Sequence, residues 1–329
     1  MELILANHSS YPRIGDDANH QLLRRTIAQR DKGEKTDADV RTAEDRVVEF
    51  ALREQLEAGL EIVTDGQIRW YDPISHLAGK LEGVRINGLL RFFDTNFYFR
   101  QPVVTARPER TQPLVLEEFR FAQAKSASPV KAVLMGPYTL ARLSLEEKGA
   151  GVGFEELLEA YTQALGEEVE ELVKAGASLL QIEEPLLLKR PDEFHYVERA
   201  LTNLAMSKGQ AQLALALYFG DPAELYDQIQ TLPVDVLMLD FTYNQEFAET
   251  IATRGCTRTL GLGLVNGRNT RLEDAATVAR QIEKIANSTK AESAYLQPSC
   301  GLEYLPRDRA QLKLRHLTTI KNAFLGRAA

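Results

Sequence analysis

The chain has 329 residues, of which 44% are hydrophobic, and a formal net charge of -8. This size and apolar content fit one α/β domain spanning 1–329, and the negative charge argues against nucleic-acid binding, which needs a clustered positive field. Two cysteines exclude a disulfide framework, and no apolar stretch reaches the roughly 20 residues of a membrane helix. The N-terminal apolar run is too short for a signal peptide. We therefore expect a cytoplasmic protein with no membrane segment and no nucleic-acid partner.

Short apolar segments alternate with stretches of helical periodicity along most of the chain. Eight segments have the apolar runs of strands: 3–5, 61–64, 130–135, 177–182, 213–218, 234–239, 259–265 and 294–296. Helical periodicity is clearest over 154–174, 272–285 and 309–324. Strands this apolar are buried on both faces, as parallel strands covered by helices are. Because eight is the number that a closed barrel requires, the sequence predicts a TIM (β/α)8 barrel.

One segment, 81–104, interrupts this alternation. Its apolar and aromatic residues alternate around Asn87-Gly88, a dipeptide typical of hairpin turns. We expect an antiparallel hairpin inserted into the barrel domain rather than a second domain.

Polar residues cluster directly after the predicted strands, where barrel enzymes carry their active sites. The residues in these positions that could bind substrate or catalyse a reaction are Ser10, Arg13, Asp65, Gln67, Arg69, Glu183, Asp240, Arg268 and Cys300. Since the C-terminal ends of parallel strands share one face of a barrel, we predict that these side chains converge on one pocket.

Several of these residues have simpler explanations. Asp65-Gly66 fits a plain turn equally well. Of the adjacent Glu183 and Glu184, at most one faces the site, and the other is expected in a solvated loop. Arg268 suits a substrate carboxylate or an internal salt bridge.

Three further residues also allow two interpretations. Cys300 is either a reactive thiol or an inert buried one. Trp70 fits a structural lid as well as a platform for substrate. His8 lies near the end of the first strand, and a surface position is the simpler expectation for it.

Nucleotide-binding motifs are absent from the sequence. Gly261-Leu262-Gly263 lacks the third glycine and the acidic partner of a dinucleotide site, and there is no phosphate-binding loop. We expect no nucleotide cofactor.

Five strand-end motifs together resemble those of the cobalamin-independent methionine synthase family, in its short single-barrel form within the superfamily that also holds uroporphyrinogen decarboxylase. The motifs, which occur in the same order over most of the chain, are Ser10-Tyr11-Pro12-Arg13, Asp65-Gly66-Gln67-Ile68-Arg69, Gly136-Pro137-Tyr138-Thr139, Gln181-Ile182-Glu183-Glu184-Pro185 and Pro298-Ser299-Cys300-Gly301-Leu302. The resemblance implies methyl transfer to the sulfur of a small thiol such as homocysteine, from 5-methyltetrahydropteroyltriglutamate or an altered donor.

The resemblance also implies a zinc ion bound by a His-x-Cys pair, a glutamate and a final cysteine. The last two positions resemble Asp240 and Cys300, but the pair falls on Leu215 and Leu217 or their immediate neighbours, where no ligand exists. Two ligands do not make a tetrahedral zinc site, so we expect weak zinc binding or none.

The family's two carboxylates for the substrate amino group resemble Gln67 and Glu183 here. Its tryptophan that stacks on the folate donor resembles Leu143. These departures leave three hypotheses. The first is methyl transfer to a small thiol with an altered donor. The second is a metal-free enzyme acting on a carboxylated molecule, with Arg13, Arg69 and Arg268 as anion clamps. The third is a non-catalytic protein partner of a true synthase.

Overall fold

The computed structural model describes residues 1–326. Its helices and strands in chain order are β1 (Glu2–Leu5), α1 (Leu22–Asp31), α2 (Asp37–Glu57), α3 (Ser75–Ala78), β2 (Glu82–Arg91), β3 (Tyr98–Glu109), α4 (Leu116–Lys125), β4 (Ala132–Met135), α5 (Pro137–Leu143), β5 (Leu145–Glu146), α6 (Phe154–Lys174), β6 (Leu179–Glu183), α7 (Phe194–Ser207), β7 (Gln212–Leu217), α8 (Tyr226–Ile229), β8 (Val236–Asp240), α9 (Phe247–Arg254), β9 (Thr259–Val265), α10 (Ala275–Ala286), β10 (Ser293–Pro298) and α11 (Arg307–Phe324). Two short 3-10 helices, Pro185–Lys189 and Pro191–Glu193, lie between β6 and α7.

Seven parallel strands form the main sheet, in the order β1-β10-β9-β8-β7-β6-β4. Residues 62 and 63 occupy the gap between its two edges, because Ile62 bridges Ala6 after β1 and Val63 bridges Val130 before β4. Backbone N–H groups of Asn7 and Lys131 donate to the carbonyl oxygens of Ile62 and Val63 at 3.1 and 2.8 Å. The sheet therefore closes on itself, and the predicted TIM barrel is confirmed.

Successive side chains of β7 point alternately outward and inward. Leu213, Leu215 and Leu217 belong to the large core between strands and helices, whereas Ala214 and Ala216 belong to a smaller cluster contributed by five strands. That smaller cluster is the inside of the barrel, since only there do side chains of non-adjacent strands meet.

The antiparallel pair β2–β3 runs from 82 to 109, and its turn lies over 92–97 rather than at Asn87-Gly88. Gly88 has a φ of 67°, and the pairing shifts register between Asn87 and Leu90. The dipeptide therefore makes a bulge inside β2, and the expectation of a turn there is wrong. The bulge bends the hairpin so that its aromatic tip packs on the barrel, where the ring centroids of Phe93 and Phe219 lie 5.5 Å apart.

The helices cover the outside of the barrel and follow the predicted periodicity. For example, α6 occupies the predicted 154–174, and α11 begins two residues before the predicted 309. Helix α2 begins with a capping box, in which Thr36 Oγ accepts from the N–H of Asp39 while the Asp39 carboxylate accepts from the N–H of Thr36. Among residues 1–326, no helix combines the length and the apolar character needed to cross a membrane.

Candidate active site

The C-terminal mouth of the barrel holds a cavity of about 480 Å³ between the hairpin tip and two strand-end loops. Hairpin residues 94–97 form one wall, and Asn266, Arg268, Glu303 and Tyr304 form the other. We call this cavity the outer chamber. The rings of Phe219 and Tyr304, whose centroids lie 5.7 Å apart, separate the outer chamber from the barrel interior.

A second cavity of about 30 Å³ shares Phe97 and Glu303 with the outer chamber and is lined by Ser10, Arg13 and Gln67. We call it the inner recess. Three polar atoms facing this region, Ser10 Oγ, Gln67 Nε2 and Glu303 Oε2, are buried without a hydrogen-bond partner. Buried polar atoms without a hydrogen-bond partner lower the free energy of unfolding, unless a ligand or a water molecule supplies the missing hydrogen bond.

Glu183 lies inside the barrel at the end of β6, in a buried hydrogen-bonded network. Its carboxylate accepts from Tyr218 Oη at 2.8 Å and from Gln181 Nε2 at 2.9 Å. His8 Nδ1 lies 3.6 Å from the same carboxylate, and His8 is only 1% exposed, so the expectation of a surface histidine is wrong. Burial raises the pKa of Glu183 and lowers that of His8.

Lys131 continues this network toward the N-terminal end of the barrel. Its Nζ donates to Gln181 Oε1 at 2.5 Å, and the residue is 1% exposed. Burial lowers the pKa of Lys131 to about 7, although the nearby negative charge of Glu183 acts in the opposite direction. A lysine that is half neutral at neutral pH is thus built into the barrel interior.

Asp240 and Cys300 lie behind the loop that carries Arg268. Asp240 accepts from the N–H and Oγ of Thr242 at 2.8 and 2.6 Å, and burial raises its pKa to about 6. Cys300 is fully buried, and a Cβ placed on Gly267 would lie 2.8 Å from its Sγ. Burial, followed by the charge of Asp240, raises the pKa of this thiol, so it is neutral at pH 7.

Arg268 presents its guanidinium to the outer chamber. The group lies 4.6 Å from the ring centroid of Tyr243 and 5.3 Å from that of Phe219, and its Nε has no partner. These two cation–π contacts position the guanidinium and leave its N–H groups available as hydrogen-bond donors. Arg268 forms no salt bridge among the described residues, so the internal salt bridge considered from the sequence is not formed there.

Two other predicted residues lie away from the inner recess. Asp65 faces a separate cavity of about 10 Å³ beside Glu118 and Lys131, and burial raises its pKa to about 6. Arg69 pairs with Asp45 of α2, so it is not a free anion clamp.

Trp70 and Glu184 act within the fold. Trp70 stacks on His76 at 4.8 Å while its Nε1 donates to Glu118 at 2.7 Å. Glu184 is fully buried rather than solvated, because its carboxylate accepts from the N–H groups of Tyr138 and Thr139 at 2.9 and 2.8 Å. It therefore caps the first turn of α5.

The residues present do not fit the zinc site that the motifs imply. Leu215 and Leu217 point to the helix layer, and the interior positions of β7 are Ala214 and Ala216, so neither face of this strand offers a donor. Asp240 already accepts hydrogen bonds from Thr242, and residues 1–326 contain no cluster of three or more metal-binding side chains. The described residues therefore leave the family's zinc without a full set of ligands.

Sequence reasoning missed Glu303 and Lys131, and it gave no role to Tyr218. Glu303 follows Cys300 by three positions, so the strand-end rule could have found it. Lys131 and Tyr218 lie within or beside apolar runs, and only the closed barrel shows that they face Glu183.

Comparison with known proteins gives a consistent result. Residues 79–290 match the family model described as cobalamin-independent synthase, N-terminal domain. The methionine synthase of Saccharolobus solfataricus is 29% identical over 92% of this chain and 90% of its own length. That of Saccharolobus islandicus strain L.S.2.15 is 30% identical with the same coverage.

Solved structures show the same fold. A B12-independent methionine synthase from Shewanella sp. W3-18-1, in complex with selenomethionine, has a TM-score of 0.81 at 19% identity and covers 99% of this chain and 98% of its own. A methyltransferase from Methanosarcina mazei has a TM-score of 0.65 at 14% identity, covering 97% and 94%.

Proposed function

The chain belongs to the cobalamin-independent methionine synthase family, and we propose that it transfers a methyl group to the thiol of homocysteine, with the donor bound in the outer chamber. The observation that carries the proposal is a likeness to methionine synthases that spans 92% of this chain and 90% of the Saccharolobus solfataricus protein. The relatives therefore match nearly the whole barrel, including the strand ends that form the mouth.

The two joined cavities suit a two-substrate reaction. A volume of about 480 Å³ accommodates a large donor, whereas the recess of about 30 Å³ admits only a small group. The unpartnered Nε of Arg268 supports a role in holding a carboxylate of the donor in the outer chamber. The Nε of Arg13 also has no hydrogen-bond partner. This supports a role for Arg13 in holding the carboxylate of the acceptor in the inner recess.

Asp240 is the proposed acceptor for the proton of the substrate thiol. With its pKa raised to about 6 by burial, Asp240 is ionised at neutral pH and basic enough to take up a proton. The sulfur lone pair then forms the new bond to the methyl carbon, and the donor keeps the electron pair of the bond that breaks. Cys300, whose pKa burial raises, is neutral at this pH and does not compete for the methyl group.

The remaining predicted substrate-binding residues have supporting roles in this proposal. Ser10 and Gln67 line the recess. Glu183 lies in the barrel interior, where Tyr218 and Gln181 hold its carboxylate. Asp65 and Arg69 stabilise the loop that carries Gln67. For instance, Asp65 Oδ1 accepts from the N–H of Gln67 at 3.0 Å. The strained backbone of Gln67, with φ 53°, depends on such support.

A direct assay tests the proposal. Purified protein is incubated with L-homocysteine and, in separate reactions, folate and corrinoid methyl donors, and methionine is measured by mass spectrometry. We expect methionine with at least one donor, and a loss of roughly 100-fold or more in Asp240→Asn, since general-base catalysis is worth about that much. Asp192→Asn, at an exposed position, is the matched control. Absence of methionine with every donor would refute the proposal.

A further inference from the structure

Lys131 is a buried cation that is joined to a buried carboxylate through an amide. Its Nζ donates to Gln181 Oε1 at 2.5 Å, and Gln181 Nε2 donates to Glu183 Oε1 at 2.9 Å. All three side chains lie inside the barrel, and Glu183, the most exposed of them, is only 3% exposed. Among residues 1–326 Lys131 forms no direct salt bridge. Because an ammonium group only donates and a carboxylate only accepts, the two charges together fix which end of the amide faces each of them.

The groups around Glu183 leave Lys131 as the positive charge, among residues 1–326, that can offset its own. His8 lies 3.6 Å away but is neutral, since burial lowers its pKa. Tyr218 is neutral as well, since burial raises its pKa, and Glu303 from the loop after β10 can only add negative charge. A buried carboxylate that loses its counter-charge becomes neutral by taking up a proton.

The carboxylate of Glu183 holds the segment that contacts Asp240. Tyr218 Oη donates to Glu183 Oε2 at 2.8 Å, and the next residue, Phe219, has its backbone N–H 3.4 Å from Asp240 Oδ2. Phe219 has a φ of 66°, a conformation that costs a residue with a side chain about 1–3 kcal/mol and therefore needs support from its neighbours. A hydrogen bond to an ionised acceptor is roughly twice as strong as one to a neutral acceptor, so the charge of Glu183 decides how firmly Tyr218 is held.

We propose that Lys131 is a positioning residue for methyl transfer: acting through Gln181, it keeps Glu183 ionised and so holds the Tyr218-Phe219 segment against Asp240. Lys131 lines neither the outer chamber nor the inner recess, so it touches neither substrate. The inference rests on the proposed function, in which Asp240 accepts the proton of the thiol, and adds to it a residue that lies outside the mouth of the barrel.

Infrared difference spectroscopy at pH 6 measures the charge of Glu183 without any substrate. At this pH Lys131 carries its charge, because its pKa is about 7. The unmodified protein and Glu183→Gln should show no difference in the carbonyl band of protonated carboxyl groups. Lys131→Met should gain intensity in that band, and the double variant with Glu183→Gln should lose it again. If Lys131→Met gains no such band, the proposal is wrong.

A double-mutant cycle on methyl transfer tests the link from Lys131 to the reaction. Lys131→Met should lower kcat about tenfold to a hundredfold, because a catalytic group that is slightly misplaced costs a factor of that order, while the KM for L-homocysteine stays within about twofold. In the Glu183→Gln background, where this side chain is already neutral, the same substitution should have almost no further effect. General damage to the fold predicts equal falls in both backgrounds, and that result would overturn the proposal.

Two further variants separate the amide bridge from repacking of the interior. Gln181→Met removes the amide and keeps both charged residues, and it should lower kcat as Lys131→Met does; an unchanged kcat would exclude the bridge. Met238→Leu is the matched control, because Met238 belongs to the interior cluster and its sulfur lies 3.8 Å from Lys131 Nζ. This volume-conserving change should leave the infrared band and kcat as they are. A fall in kcat as large as that of Lys131→Met would assign the effect to packing.

Failure of this inference is distinguishable from failure of the proposed function. If the unmodified protein forms no methionine with any donor, the proposed function is refuted, and the infrared comparison alone decides whether Lys131 controls the charge of Glu183. If methionine is formed and Lys131→Met is as active as the unmodified protein, the role of Lys131 is refuted and the proposed function stands.

Discussion

Replacing Lys131 by methionine removes the one ammonium group that the described barrel interior shares with Glu183. Methionine has a similar length and fits beside Met238, whose sulfur lies 3.8 Å from Lys131 Nζ. The change leaves Gln181 Oε1 without its donor, which costs about 1–3 kcal/mol. It also removes the cost of holding a lysine in a site where burial lowers its pKa to about 7.

The magnitude follows from the two pKa values. In the unfolded chain the lysine has a pKa of about 10.4, so below that pH the unfolded state binds more protons than the folded state. The free energy of unfolding therefore rises with pH between about 7 and 10, by up to about 1.4 kcal/mol per pH unit. Between pH 7 and 9 the contribution of Lys131 alone amounts to about 2 kcal/mol.

Urea unfolding of the unmodified protein and Lys131→Met at pH 7, 8 and 9 measures this contribution. The free-energy difference between the two proteins should shift by about 2 kcal/mol over that range in favour of the unmodified protein. Lys148→Met, at an exposed position, shows the generic effect of losing a positive charge. Parallel pH profiles for the unmodified protein and Lys131→Met would refute the reasoning.

Four further predictions concern the mouth of the barrel. Cys300→Ser should change the free energy of unfolding by no more than about 1 kcal/mol, because the smaller serine hydroxyl can keep the hydrogen bond that Sγ donates to the carbonyl of Gly301 at 3.4 Å; a loss of several kcal/mol in thermal or urea unfolding would contradict this. Elemental analysis after dialysis should find well under one zinc per chain, and a full equivalent that resists dialysis would point to a ligand set outside the one described. The rate of methyl transfer should fall as pH drops through about 6, where Asp240 becomes protonated, and a rate that is flat down to pH 5 would exclude Asp240 as the proton acceptor. Arg268→Lys should raise the KM for the donor about tenfold, since lysine lacks the planar fork that pairs with a carboxylate; an unchanged KM in steady-state kinetics would place the donor elsewhere.

The barrel was predictable because its strands are short and apolar. The runs at 213–218 and 259–265 became β7 and β9 almost unchanged, since strands buried on both faces contain few polar residues. The run at 61–64 was harder to define. Only Ile62 and Val63 pair with neighbouring strands, so this part of the barrel depends on two bridges rather than on a full ladder.

Local motifs misled where tertiary packing decides the conformation. Asn87-Gly88 has the composition of a turn. In the structure the dipeptide lies inside β2, where Gly88 forms a bulge in the long antiparallel pair β2–β3. Arg69 follows a strand end as expected of an anion clamp, but α2 brings Asp45 against it, and nothing in the local sequence indicates that pairing.

The site itself was predictable by position more than by role. The strand-end rule identified Ser10, Gln67 and Arg268 as residues at the mouth, which is where they lie. The rule did not show that Glu303 has a carboxylate oxygen without a hydrogen-bond partner. That property depends on the position of Glu303 between the two cavities, which arises only when the loop after β10 packs beside the loop after β1.

The central claim, methyl transfer to homocysteine by the residues of this chain, is tested most directly with a donor that carries a CD3 group. Chelator-dialysed protein is mixed with that donor and L-homocysteine, and labelled methionine and bound zinc are measured in the same sample. The account predicts CD3-labelled methionine in excess of the enzyme while zinc stays well below one per chain. Methionine formation that disappears on chelation and returns in proportion to added zinc would contradict it, as would the absence of labelled methionine with both folate and corrinoid donors.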